Sequence, residues 1–180
     1  MSRLRSLAAA GGLVMLPGAA FAHPGSGHAH GFVDGFIHPI TGPDHMLAML
    51  AVGLLAARLR GRALWQAPLA FVAMMAAGGA LAFAGVSLPF VEAAILLSVG
   101  VLGAAVVLRL NMPSILAAAL AGFFAVFHGH AHVAEMPAHT GVLAFGLGFI
   151  AATVLLHAAG AGVGFAIGRF TRRRSAPAPA

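Results

Sequence analysis

The residues of this chain that are best suited to chemistry are histidines, and they occur in two clusters with carboxylates close by. The sequence holds ten histidines and no cysteine. Disulfides and thiolate sites are therefore excluded, so any metal site must use imidazole nitrogen and carboxylate oxygen. Such ligands suit Ni²⁺, Co²⁺, Zn²⁺ and Cu²⁺ better than Mg²⁺ or Ca²⁺. The residues predict a site for a divalent transition metal and do not separate those four ions.

The first cluster lies at the start of a long apolar run. Its members are Asp34, His38, Asp44 and His45. Carboxylates and imidazoles are costly at membrane depth, so each of them marks a functional hypothesis. The alternative is that these side chains only satisfy one another inside a helix bundle. We interpret the last three as the obligatory part of the site, where an ion loses its hydration shell.

The spacing of the first cluster predicts a broken helix. Asp34 and His38 are four residues apart and would share one helix face. Pro39, Gly42 and Pro43 disfavour an unbroken helix. A break over residues 39–43 frees backbone carbonyls and lets the two residues that follow turn toward the same centre as His38.

The second cluster occupies residues 127–135, which read Phe-His-Gly-His-Ala-His-Val-Ala-Glu. Its candidate ligands are His128, His130, His132 and Glu135, and His139 follows. Alternating histidines with a carboxylate suit a divalent metal, and the alternative is a histidine-rich loop that only collects metal. We interpret residues 128–139 as a polar connection outside the apolar segments, at the mouth of the path to the first cluster.

A few further polar positions are candidates of second rank. Glu92 lies near the start of the third apolar segment, and His157 lies past the middle of the last one. Each is compatible with a hydrogen bond between helices and with a ligand or relay role. His23 begins a glycine-rich polar stretch that also contains His28 and His30, and we expect these histidines to collect metal outside the membrane.

The apolar segments that must position these residues indicate an all-α, polytopic membrane protein. Hydrophobic residues make up 61% of the chain and charged residues 8%, whereas a soluble domain carries about 25% charged residues. A membrane span needs about 20 apolar residues. We expect five segments after a cleaved signal peptide, or six if the signal is retained. They cover residues 32–57, 64–84, 89–108, 113–127 and 141–167.

The chain ends differ in composition from this apolar part. Residues 1–22 resemble a signal peptide, with two arginines, a short apolar core and a small-residue cleavage site at Ala20-Phe21-Ala22. Residues 23–170 then form a single transmembrane domain. The Pro/Ala-rich residues 171–180 form a disordered cytoplasmic tail.

All ten basic residues are arginines, and most lie in short groups between or after the apolar segments, at 58–62, 109 and 169–174. The positive-inside rule then places the mature N-terminus in the periplasm and the C-terminus in the cytoplasm of a bacterial inner membrane. This distribution argues against a nucleic-acid surface despite the net charge of +6. The chain has no lysine and no phosphate-binding loop motif, which argues against ATP hydrolysis by this chain.

Glycines recur every fourth residue on the last segment, at Gly160, Gly164 and Gly168. Such a stripe lets two helices approach closely. We expect packing within the chain to use it, and a homo-oligomer interface is the alternative.

The two clusters together resemble the HupE/UreJ family of nickel permeases, which are associated with hydrogenase and urease. Residues 38–45 match that family's H-x5-D-H motif, and residues 127–135 are similar to its second motif, F-H-G-x-[A/V]-H-G-x-E. Val133 stands where the family usually has glycine, and a positive φ there would strain valine. The resemblance covers nearly the whole chain. It implies Ni²⁺ uptake through His38, Asp44, His45, His128, His132 and Glu135.

These observations predict a secondary permease that imports Ni²⁺ or Co²⁺ for metalloenzyme maturation, with no organic cofactor. The choice of nickel follows from the resemblance, and Zn²⁺ stays open. The expected partners are the lipid bilayer and the metal ion. Two other functions stay open as well. One is an intramembrane zinc-dependent hydrolase, and the other is a haem protein with, for example, His45 and His157 as axial ligands.

Overall fold

The computed structural model describes residues 31–136 and 141–174, and these residues form six α-helices and no strand. The helices are α1 (Gly31–Thr41), α2 (Pro43–Leu59), α3 (Ala63–Phe83), α4 (Val91–Val107), α5 (Ser114–Ala134) and α6 (Val142–Arg174). The prediction of an all-α chain is confirmed. The predicted signal peptide, the N-terminal histidines, His139 and residues 175–180 lie outside the described residues.

The helices differ in whether they can cross a bilayer. Helices α3, α5 and α6 are long and apolar enough to do so, and α1 with α2 passes the same test as one bent pair. Helix α4 is apolar but has 17 residues, or about 26 Å at ~1.5 Å per residue, against a hydrocarbon core of about 30 Å. The described residues thus hold three clear candidate spans, one bent pair of helices that is long and apolar enough for a fourth, and one short apolar helix.

The predicted break in the first segment lies at Gly42, where the axes of α1 and α2 differ by 80°. Gly42 has an extended backbone and accepts the first hydrogen bond of α2 from Met46 N–H, at 2.9 Å. Pro43 follows as the first residue of α2, where the missing N–H leaves no hydrogen bond unmade. Pro39 lies inside α1 and does not end it. The break is therefore formed by Gly42 and Pro43, which end one helix and begin the next.

Helix α5 is longer than the sequence predicted. We expected the segment to end near Phe127 and a polar connection to run from His128 to His139. Instead α5 continues through Ala134, and the side chains of its three histidines are buried. The interpretation as an outer loop was wrong for residues 128–134, because these residues are helical and the three histidine side chains pack inside the bundle.

Reciprocal glycines bring three pairs of helices into backbone contact. At each of these positions a Cβ atom would lie 1.8–2.2 Å from a carbonyl oxygen of the facing helix, where no real side chain fits. The pairs are Gly35 with Gly148 between α1 and α6, Gly53 with Gly160 between α2 and α6, and Gly78 with Gly129 between α3 and α5. Small residues on both helices are the usual condition for such close packing in a membrane.

The glycine stripe of α6 is used within the chain. A Cβ on Gly160 would meet the Leu50 carbonyl oxygen at 2.2 Å, and a Cβ on Gly164 would meet Ala57 Cβ at 2.8 Å. Both contacts are with α2. The stripe therefore packs inside the protein, and these two glycines are not free to form a homo-oligomer interface.

The arginine groups gather at one end of the bundle. The Arg58 guanidinium, at the end of α2, donates hydrogen bonds to the carbonyl oxygens of Arg109 and Leu110 in the α4–α5 connection. Arg60 and Arg169 line one shared groove. Glu92 in the first turn of α4 and Glu135 at the end of α5 lie at the opposite end. The arginines and the two glutamates thus lie at opposite ends of the bundle, and the positive-inside rule concerns only the arginines.

Replacement of one crossing glycine tests the backbone contacts. In Gly78→Ala the new Cβ would lie 2.0 Å from the Val126 carbonyl oxygen, so α3 and α5 must separate. We expect a loss of about 1–3 kcal/mol, the usual cost of overpacking, seen as a lower melting temperature by circular dichroism in detergent. Gly100→Ala in α4 is the matched control, because its Cβ meets nothing within 4 Å. Equal melting temperatures for the two variants would contradict this account.

Candidate metal-transport site

Three histidines from two helices form the centre of the site. His45 lies in the first turn of α2, and His128 and His132 lie on α5. Each offers one ring nitrogen, and these three atoms all lie within 4.8 Å of one another. The His45 ring centroid lies 4.2 Å from that of His132 and 4.8 Å from that of His128. The two sequence clusters therefore form one site and not an inner site with a separate mouth.

Helical spacing explains which histidines of the second cluster meet. His128 and His132 are four residues apart and share the face of α5 that points at α2. His130 lies between them and points away, and its Nε2 donates a 2.8 Å hydrogen bond to the Val86 carbonyl in the α3–α4 connection. Gly129 fixes the rotation of α5 about its axis, because its close contact with the Met75 carbonyl holds α5 against α3.

Two of the three cluster rings have a hydrogen-bond partner on the side away from the cluster. The Asp44 carboxylate accepts from His45 Nδ1 at 2.7 Å and from the His45 backbone N–H at 2.8 Å. His128 Nε2 lies 2.9 Å from the Ser98 hydroxyl of α4. A metal-binding histidine usually donates its second ring N–H to such a partner, which fixes the ring and its tautomer.

The other four ring nitrogens of the three histidines have no such partner. Among the described residues His45 Nε2, His128 Nδ1 and both nitrogens of His132 are buried without a hydrogen bond. Buried polar atoms are almost always paired, so each unpaired one needs an explanation. Converging imidazole nitrogens are the donor set that Ni²⁺, Co²⁺ and Zn²⁺ accept, and they fit a divalent transition metal.

His38 extends the cluster on its α1 side. Its ring centroid lies 4.8 Å from that of His132 and 6.5 Å from that of His45. Phe149 of α6 lies against the same rings, at 4.0 Å from His132 and 6.3 Å from His38. The predicted turn of the first cluster toward a common centre therefore brings His38 and His45 together. Phe149 packs against the rings of His38 and His132.

The other predicted site residues do not join this cluster. Asp34, Glu92 and Glu135 are exposed in the described part of the chain, while His130 is held by the α3–α4 connection. His157 is 3% exposed and lies against Phe71, at 5.1 Å between ring centroids. Because the Phe71 ring also contacts that of His128 at 5.6 Å, His157 is one aromatic side chain away from the cluster.

Sequence reasoning missed several residues of the site. Ser98 and Phe71 contact His128, and Phe149 contacts His132. One signal was available for Ser98, since it is the one hydroxyl residue of α4 in an otherwise apolar stretch. The two phenylalanines give no signal, because an aromatic residue in an apolar helix looks the same at a site and in the lipid.

Val133 is accommodated without strain. It is helical, and the residues with positive φ in the described chain do not include it. Its Cγ2 lies over Gly79 of α3, 3.0 Å from where a Cβ on that glycine would be. The strain considered from the sequence does not arise, because the position does not require a left-handed backbone.

Comparison with known proteins gives the family of this chain. The family described as HupE / UreJ protein matches residues 12–178. The Protein HupE of Rhizobium leguminosarum bv. viciae is 47% identical over 148 residues, which is 82% of this chain and 77% of that protein. No solved structure matches. The chain therefore belongs to the HupE/UreJ family, which is associated with nickel and cobalt transport for hydrogenase and urease and is a transporter or accessory family.

Proposed function

We propose that this protein is a secondary permease that imports Ni²⁺, with Co²⁺ as the second substrate, across the bacterial inner membrane for metalloenzyme maturation. The observation that carries the proposal is the convergence of unpaired nitrogens from His45, His128 and His132 inside an apolar bundle. A structural role would favour apolar side chains there, since an unpaired buried polar group costs about 1–3 kcal/mol. A divalent cation supplies the missing partner for all three rings at once.

The cluster dimensions support a transported ion. Metal–imidazole bonds are about 2.0–2.1 Å long, which places the nitrogens of a tetrahedral site roughly 3.3 Å apart. The ligand atoms here lie within 4.8 Å of one another, so a side-chain movement of about 1–1.5 Å closes the site around an ion.

The charge distribution supports import. Exposed Glu92 and Glu135 lie at the end opposite the arginines, where they attract cations toward the cluster. With that end facing the periplasm, the membrane potential drives entry. A divalent ion gains about 4.6 kcal/mol at −100 mV, from ~2.3 kcal/mol per charge.

Single alanine variants test the assignment of residues. We expect His45→Ala, His128→Ala and His132→Ala to abolish ⁶³Ni uptake into proteoliposomes at every metal concentration, because each removes one of three convergent ligands. We expect His38→Ala, Asp44→Ala and Glu135→Ala to reduce uptake severely. His130→Ala is the matched control on α5, since its ring points away, and it should retain more than half of the maximal rate.

The outcome of that series is decisive once uptake is normalised to the amount of reconstituted protein. A normal maximal rate in His45→Ala, or no uptake in His130→Ala, would contradict the proposed site. A haem absorption band or tightly bound hydrolytic zinc in the wild-type protein would favour the other functions considered from the sequence.

We further propose that His157 is a second station on the path. It lies eight residues beyond Phe149 on α6, or about 12 Å closer to the arginine end. Both of its ring nitrogens lack a partner among the described residues, although the side chain is buried. Burying two ring nitrogens without hydrogen bonds lowers the stability of the folded protein, which argues that His157 has a role other than packing.

Replacement by leucine distinguishes a role of His157 in transport from a role in packing. We expect His157→Leu to melt at the wild-type temperature or above it, because an unsatisfied polar group is removed. We expect its maximal uptake rate to fall at least tenfold, while the concentration for half-maximal uptake changes little. Wild-type uptake would assign His157 to packing alone. Leu155→Ala, an exposed position on the same helix, controls for general effects on α6.

A further inference from the structure

Ser98 is the one hydroxyl side chain of α4, and it is fully buried. Its Oγ lies 2.6 Å from the Ile95 carbonyl oxygen and 2.9 Å from His128 Nε2. Many helical serines donate to a carbonyl of their own helix. The second contact is unusual, because it reaches across to a ring of the three-histidine cluster on α5.

The two contacts determine which atom carries each hydrogen. A carbonyl oxygen only accepts, so the single hydroxyl hydrogen of Ser98 must point at Ile95. The Ser98 oxygen can then only accept from His128, and the hydrogen between them belongs to Nε2. A neutral imidazole has one N–H, so His128 Nδ1 carries a lone pair and no hydrogen. Nδ1 is the His128 atom that is buried without a partner.

His45 is also held by a hydrogen-bond acceptor, but through Nδ1, whereas His128 is held through Nε2. Its Nδ1 donates to the Asp44 carboxylate, so its unpaired Nε2 carries the lone pair. Two independent acceptors, one on α4 and one on α2, thus leave one nitrogen without a hydrogen on each of two different rings, and both of these nitrogens are buried without a partner. Without Ser98, His128 could take the other tautomer, which would point an N–H at the ion and repel it.

We propose that Ser98 is a positioning residue that holds His128 as the Nε2–H tautomer, so that Nδ1 is the atom that binds the transported metal. The proposal rests on the proposed function, because it assigns a supporting residue to the same site. Its expected size follows from other metal sites, where loss of such a hydrogen-bond partner lowers metal affinity about 10–100-fold.

The test compares Ser98→Ala with two other variants. One keeps a hydroxyl at position 98, and the other removes a buried hydroxyl elsewhere in the bundle. Ser98→Thr retains the acceptor oxygen. Thr153→Val is the matched control, because Thr153 is equally buried and donates to its own helix, to the Phe149 carbonyl at 2.9 Å, and its other hydrogen-bond contact is Met75 Sδ at 3.8 Å. Ni²⁺ affinity of the full-length protein in detergent is measured by competition with a coloured chelator.

The tautomer is measured separately, by two-bond ¹H–¹⁵N NMR of protein labelled at histidine, with the His128 signals assigned from their loss in His128→Gln. We expect the Nε2–H form in the wild type, a mixture or the Nδ1–H form in Ser98→Ala, and 10–100-fold weaker Ni²⁺ binding in that variant. Ser98→Thr should bind within about fivefold of wild type and Thr153→Val within about twofold, both with the wild-type tautomer.

Two results would overturn the proposal: an Nδ1–H form of His128 in the wild type, or a Ser98→Ala variant with wild-type tautomer and affinity. These differ from failure of the proposed function. If His45→Ala abolishes Ni²⁺ binding while Ser98→Ala leaves it intact, the permease site stands and the role of Ser98 falls. If the wild type binds no Ni²⁺, the permease proposal fails, and the NMR comparison still decides whether Ser98 sets the tautomer.

Discussion

The rest of the structure depends on the repulsion among imidazole lone pairs that share a small apolar space. His45 and His128 each have one buried ring nitrogen without a hydrogen-bond partner, and their ring centroids lie 4.8 Å apart; His132 completes the group. In a medium of low polarity this arrangement is unfavourable, so it persists only if the surrounding helices hold the rings in place. A cation converts the same repulsion into three favourable contacts, and only ions that accept nitrogen ligands can do so.

Backbone contact between helices supplies the necessary rigidity. The crossing of Gly78 with Gly129 lies next to His128, and the crossing of Gly53 with Gly160 ties α2 to α6. Van der Waals packing is a main source of helix association in lipid, since lipid chains are as apolar as leucine. The glycines therefore do more than shorten the distance between helix axes. They hold α5 firmly against α3 and α2 firmly against α6, so that the helices carrying the ligands keep their positions.

The sequence predicted the class of fold and one half of the site, because proline, glycine and intramembrane charge are strong local signals. The break at Gly42 and the approach of His38 to His45 follow from them. The extension of α5 was not predictable in the same way, since three alternating histidines suggest a polar loop until a facing helix buries them. Ser98 was visible as a lone hydroxyl, but its pairing with His128 depends on how α4 packs against α5. The partial burial of Asp44 and the exposure of Glu135 likewise depend on tertiary contacts.

The hydrogen bonds from Arg58 give the two ligand-bearing helices a common fulcrum. They join the end of α2 to the loop that leads into α5, so both helices are fastened at the arginine end and carry their histidines toward the other end. His128 lies about 21 Å along α5 from Ser114, at ~1.5 Å per residue. Over that lever arm a tilt of about 4° moves the ring by roughly 1.5 Å. A ring movement of the size that would bring the three nitrogens to metal-ligand spacing is therefore within reach of a tilt that changes few contacts near the arginine end.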